Sequence, residues 1–152
     1  MISLEKLFLP YQTNLKYIMS AWGIANFEND VALNYVEELT THKKQLSVVS
    51  FFDAFSAKFN PDETTLDECL EFFTIAEILA AVQGSPAEEL PLELKEWVER
   101  CYIQVEANVA VQVIEIVKLL LKDSEAKEMY CDTEYYKAWK TTQKDLIKRL
   151  KA

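Results

Sequence analysis

Carboxylates are the side chains of this sequence whose number and spacing could support chemistry. Glu89, Glu93 and Glu96 recur at i, i+4 and i+7, and Asp67 and Glu71 are four residues apart, so each set follows one face of a helix. Helical di-metal sites combine inward carboxylates with Glu-x-x-His pairs, and the chain contains no Glu-x-x-His. We therefore interpret both sets as solvated acidic faces and expect no metal ion and no other cofactor.

The composition excludes most other catalytic groups. His42 is the only histidine, which rules out Ser–His–Asp and Cys–His machinery and metal sites with several histidine ligands. Gly23 and Gly84 are the only glycines, and they lie too far apart in sequence to form a phosphate-binding loop. We predict no catalytic residue and no enzyme activity. The widely spaced cysteines are expected to be reduced, mostly buried thiols at Cys69, Cys101 and Cys131.

The elements that position these residues are predicted to be helices of one domain spanning residues 1–152. The chain is rich in helix formers and has only two glycines and four prolines to interrupt them. We predict an all-α bundle of six to eight helices around a central helix at 105–122, which is apolar almost all round. No apolar run approaches the roughly 20 residues that span a bilayer, and no signal peptide begins the chain. We therefore expect a cytoplasmic protein that binds no membrane.

Capping residues mark several helix ends in the sequence. Asn29 or Asp30 should begin the first long helix, because either side chain accepts hydrogen bonds from free backbone N–H groups. Thr65 and Glu68 have the spacing of a capping box, and Gly84 should close the helix that they begin. The other predicted helices span residues 4–10, 47–59, 92–102, 124–130 and 132–150, the last with Asp132 as its N-cap.

The net charge of −9 is unevenly distributed. Residues 53–115 contain fourteen acids and three bases, a net charge of −11, whereas residues 137–152 contain six bases and one acid. An acidic middle region argues against nucleic acid as the ligand, because phosphate binding needs clustered lysine and arginine. It favours a basic protein partner, or serves solubility alone. The basic side chains near the C-terminus form one helical stripe of Lys140, Lys144, Lys148 and Lys151.

Large aromatic residues offer two further candidates for partner contact. Trp22 and Trp97 could anchor a partner, because tryptophan is enriched in binding hot spots. We favour a role in the core for both, since a buried indole contributes a large apolar surface. Four more rings are crowded into ten residues near the C-terminus, where we favour packing and leave partner contact open. These rings belong to Tyr130, Tyr135, Tyr136 and Trp139.

The motif Trp22-Gly23-x-x-x-Phe27-x-Asn29-Asp30-x-Ala32 resembles that of a widespread bacterial family of uncharacterised small helical proteins. The resemblance covers about residues 21–150 and leaves residues 1–20 as an N-terminal extension. Alanine precedes Trp22 here, where many relatives have glycine. The family has no catalytic residues to transfer, and its members resemble the orphan immunity proteins encoded beside polymorphic and contact-dependent toxins. The later parts of the motif are Ala76 to Gly84, Leu90-Pro91, Trp97 and Trp139.

The resemblance and the charge pattern together predict an immunity protein, that is, an antitoxin. We expect it to cover the active site of a basic bacterial toxin, in the first place a nuclease, with an acidic surface. One alternative is a regulatory or scaffolding module that self-associates through the aromatic C-terminal helix, and a weaker one is a metal-dependent hydrolase. The oligomeric state stays open. The predicted partner-binding residues are Asp67, Glu68, Glu71, Glu89, Glu93 and Glu96.

Overall fold

The computed structural model describes residues 23–41, 52–53, 55–57, 59–60, 62–101 and 104–152. Within these ranges the chain forms helices and no β-strand, which confirms the predicted all-α bundle. None of the described helices is long and apolar enough to cross a membrane. The six main helices are α1 (Asp30–Thr41), α2 (Leu66–Val82), α3 (Leu92–Glu99), α4 (Ala107–Lys122), α5 (Glu125–Cys131) and α6 (Tyr136–Lys151).

Some predictions fall on residues outside the described ranges. They are the helix at 4–10, the role of Trp22 in the core and the beginning of the helix at 47–59. The later part of that last segment is helical where it is described, at residues 52–53 and 55–57.

The most buried helix is α2, not the predicted segment 105–122. Thirteen of the seventeen residues of α2 are buried, and the helix packs against α1, α4, α5 and α6. Helix α4 buries one face only and leaves Val111 58% and Leu119 43% exposed. The prediction from the apolar composition of α4 therefore overestimated the burial of this helix. Alanines at positions 76, 80 and 81 instead let the neighbours of α2 approach it closely on several sides.

The predicted caps of α1 and α2 are confirmed. The Asn29 side chain accepts a hydrogen bond from the Ala32 N–H at 2.8 Å, and Thr65 and Glu68 form both bonds of a capping box. At the other end of α2, Gly84 has a φ of 96°. The N–H groups of Gly84 and Ser85 donate to the carbonyls of residues 81 and 80, which is a Schellman motif and requires the left-handed residue.

The predicted N-cap at Asp132 is wrong. Ser124 caps α5 by accepting from the Lys127 N–H at 3.0 Å, and α5 continues to Cys131, so that Asp132 terminates a helix instead of beginning one. The Thr133 hydroxyl then donates to the Tyr130 carbonyl at 2.7 Å and stabilises the turn before α6. The helix predicted at 92–102 is also shorter than expected and ends at Glu99.

Two valines of α4 provide a matched test of this arrangement. Val113 is fully buried, whereas Val111, two residues earlier on the same helix, is largely exposed. We expect Val113→Asp to lower the free energy of unfolding by about 3 kcal/mol or more, because it places an unpaired carboxylate in the core. Val111→Asp should lower it by less than about 1 kcal/mol. Urea unfolding followed by circular dichroism measures both values, and equal losses would contradict the assignment of the buried face.

Candidate functional site

The acids of the loop before α3 and of α3 itself are exposed to solvent. Glu89 lies in the loop, and Glu93 and Glu96 lie on α3, which is fixed to the fold by the fully buried Leu94. None of the three forms an ion pair with another residue of the described ranges. No group of three potential metal ligands comes together in those ranges either. These carboxylates therefore present negative charge that no other described residue pairs, two of them on a short, anchored helix.

The acids predicted at the beginning of α2 are in a different situation. Asp67 is exposed, but Glu68 is committed to the capping box, where its carboxylate accepts from the Thr65 N–H at 3.2 Å. Glu71 is half-buried beside α1. Burial, followed by the carboxylates of Glu71 and Glu38, raises the pKa of the Tyr35 hydroxyl well above its usual range. Two of the three acids at this end of α2 thus contribute to the fold.

A carboxylate missed by the sequence reasoning completes this end of α2. Glu125, on α5, accepts a hydrogen bond from the Leu66 N–H, the first of the helix. The free N–H groups of a helix N-terminus favour negative charge, so Glu125 stabilises α2 and joins it to α5. Cys69, one turn further along α2, packs against the same part of the fold. Its burial raises the pKa of its thiol to about 11, as expected for an unreactive structural cysteine.

The C-terminal aromatic residues pack inside the bundle. Trp139 is 2% exposed, stacks on Tyr130 with ring centroids 5.4 Å apart, and meets Phe73 of α2 edge-on at 6.2 Å. The Tyr136 ring also stacks on the indole, with ring centroids 6.2 Å apart. Lysines instead occupy the outer face of α6, where Lys144, Lys148 and Lys151 are exposed. The exposed surface of this helix is therefore basic.

A buried polar network crosses the middle of the bundle, and it involves none of the predicted site residues. Its centre is Glu77, whose side chain is 2% exposed although α2 is apolar on both sides of it. Arg149 of α6 donates to both carboxylate oxygens, from Nη1 to Oε2 at 2.8 Å and from Nη2 to Oε1 at 3.0 Å. This bidentate pairing compensates the buried charge.

The same network reaches the residues that precede α1. The side-chain amide of Asn26 donates to Glu77 Oε1 at 2.9 Å and to Gln143 Oε1 at 3.0 Å, and it accepts from Gln143 Nε2 at 2.8 Å. Arg149 also donates to Asp145 at 2.8 Å and to the Ser85 carbonyl at 3.4 Å. The sequence held one signal for this network: Glu77 is the only charged residue between Phe72 and Gln83.

A sequence model described as a domain of unknown function, DUF4259, matches residues 20–142 of the chain. The chain belongs to this family. The match spans most of the chain, so the predicted membership of an uncharacterised family is confirmed. No curated protein and no solved structure matches the chain. In this DUF4259 domain, Asn26 and Glu77 lie within the matched residues, whereas Gln143 and Arg149 follow them.

The ion pair of the DUF4259 domain gives a test of the buried network. We expect Arg149→Met to lower the free energy of unfolding by about 3 kcal/mol, because it leaves the Glu77 carboxylate buried without its cation. Asp145→Asn removes only the exposed partner of Arg149 and should cost less than about 1 kcal/mol. Adding Glu77→Gln to Arg149→Met should recover part of the loss, because the uncompensated charge is then gone. Urea unfolding measures all three, and a neutral Arg149→Met would refute the role given to the pair.

Proposed function

We propose that this DUF4259 chain is an immunity protein that binds a basic bacterial toxin, most simply a nuclease, and covers its active site with an acidic surface. The observation that carries the proposal is that Glu89, Glu93 and Glu96 are exposed and form no ion pair within the described part of the chain. They belong to a region, residues 53–115, with fourteen acids and three bases. Its partner by this reasoning is a protein, and neither nucleic acid nor a membrane.

Electrostatics explains how such a surface could inhibit a nuclease. The site of a nuclease must attract phosphate, so it is cationic, and a fixed array of carboxylates competes with phosphate for the same lysine and arginine side chains. Uncompensated charge also accelerates the encounter of oppositely charged proteins before any contact forms. Carboxylates that are already paired within the fold contribute less to both effects.

The local structure around α3 supports it as the centre of this surface. Five acids and one lysine lie between residues 88 and 99, and all six side chains are exposed. The acids near the N-terminus of α2 are less suitable, because Glu68 caps that helix and Glu71 is half-buried. We therefore place the interface on Glu89, Glu93 and Glu96, with Asp67 as a secondary contributor. The alternative of self-association through aromatic rings has less support, since the Trp139 cluster packs within the bundle.

Charge reversal in a growth-rescue assay tests the proposal. The chain is co-expressed with each product of the adjacent genes that is toxic on its own, and protection is scored as restored growth. We expect the triple variant Glu89→Lys, Glu93→Lys, Glu96→Lys to lose protection and remain folded, because exposed substitutions usually change stability by less than about 0.5 kcal/mol each. The association rate of the wild-type pair should fall as ionic strength approaches 0.5 M, where screening shortens to roughly 4 Å.

A charge-matched control separates a local interface from a general effect of net charge. Asp123, Glu128 and Asp132 are also exposed, and they lie outside the acidic region. Their reversal to lysine changes the net charge by the same amount, and protection should persist. Replacing Lys140, Lys144 and Lys148 of α6 with glutamine should also leave protection intact. Full protection by a folded Glu89/Glu93/Glu96 variant would show that this acidic face serves solubility alone, and failure of the wild type to protect against any adjacent toxin would overturn the immunity role.

A further inference from the structure

The residues that precede α1 are attached to the C-terminal part of the chain. We name residues 23–29 the entry segment. The Gly23 carbonyl accepts from the Tyr130 hydroxyl of α5 at 2.8 Å, and the Asn26 amide is paired with Gln143 of α6 and with Glu77. Phe27 of the same segment is buried in the core. Side chains more than a hundred residues further along the sequence thus hold the segment in place.

Both N–H hydrogens and the oxygen of the Asn26 side chain are hydrogen-bonded in this arrangement. Both of its N–H hydrogens are donated, one to Glu77 and one to Gln143, and its oxygen accepts from Gln143. Asn26 is 7% exposed, and Gln143 and Glu77 are fully buried or nearly so, which leaves little access for water to replace a lost partner. Docking of the entry segment therefore depends on Glu77 and Gln143 keeping their positions.

The position of the Glu77 carboxylate depends in turn on the last turn of α6. Arg149 lies three residues before the end of the chain and holds both carboxylate oxygens. Terminal helical turns normally open readily, because few contacts hold them. Opening of this one would leave a buried carboxylate without a counterion, and that carboxylate also accepts from Asn26. The last turn of α6 and the entry segment thus share one acceptor oxygen, Glu77 Oε1.

We propose that Glu77 and Arg149 form a latch that couples the entry segment to the last turn of α6, so that the two ends of the described fold open and close as one unit. Helix α4 stays folded when this unit opens, because its buried face also packs on α2 and α5, which the latch does not release. The coupling is reciprocal, because the coupling free energy between the entry segment and the last turn of α6 is the same whichever of the two is perturbed. A force or ligand acting on the entry segment is thereby transmitted to the last turn of α6, and the reverse.

Hydrogen exchange of the full chain, resolved to peptides by mass spectrometry, tests the latch without any partner. In the wild type, peptides covering 23–33 and 146–151 should exchange at similar rates and faster than the buried amides of α4. Asn26→Ala, which does not touch Arg149, should accelerate exchange at 146–151 by about tenfold. If the last turn of α6 instead frays independently of the entry segment, the exchange rate at 146–151 in Asn26→Ala stays at its wild-type value, and that result would overturn the latch.

Two further variants act from the other end of the unit. Arg149→Lys keeps the charge but loses the bidentate geometry, and it should accelerate exchange at 23–33 by about tenfold. Asp145→Asn removes the exposed partner of Arg149 only and should leave both peptides within about twofold of the wild type. If Asn26→Ala does not fold, Arg149→Lys decides alone: acceleration confined to 146–151 overturns the proposal. If the wild-type exchange rates at 23–33, at 146–151 and in α4 are equal, opening is global. That result would also overturn the proposal.

Discussion

Glu77 places a carboxylate in the most buried helix of the bundle, and the surrounding fold supplies partners for both of its oxygens. Burying an ionised carboxylate without a partner in an apolar interior costs several kcal/mol of stability. Such a group therefore usually takes up a proton or moves to a position where water reaches it. Here α6 supplies a guanidinium at 2.8 Å, and the entry segment supplies an amide at 2.9 Å. The mutual positions of α2, α6 and the residues before α1 follow from satisfying this one group.

Short-range features of the structure were predictable because their causes lie within a few residues. The capping box of Thr65 and Glu68, the cap at Asn29 and the left-handed Gly84 each depend on local backbone geometry. The prediction at Asp132 failed for a related reason. Helix α5, which Ser124 caps, runs to Cys131, so Asp132 follows the end of one helix and does not begin the next.

Long-range features were not predictable from patterns of residue type. Periodicity does not measure burial, so the apolar segment at 105–122 was expected at the centre although Val111 and Leu119 face outwards. The network around Glu77 joins side chains separated by 51 and 117 residues, and no spacing rule connects them. The sequence identified the acidic residues but not the structural role of each. Glu68 caps the N-terminus of α2, whereas Glu93 and Glu96 are exposed on the surface.

The pairing of Asn26 with Gln143 has a consequence for synthesis on the ribosome. The two residues are separated by 117 positions, so the first part of this fold is translated long before its partner exists. At roughly 10 residues per second, the Asn26 amide remains without its partners in α6 for on the order of ten seconds. Until α6 has been synthesised, Glu77 lacks the cation that it has in the folded protein. Gln143 and Arg149 of α6 then supply the missing hydrogen bonds and the missing charge, so this network closes only after α6 has been synthesised.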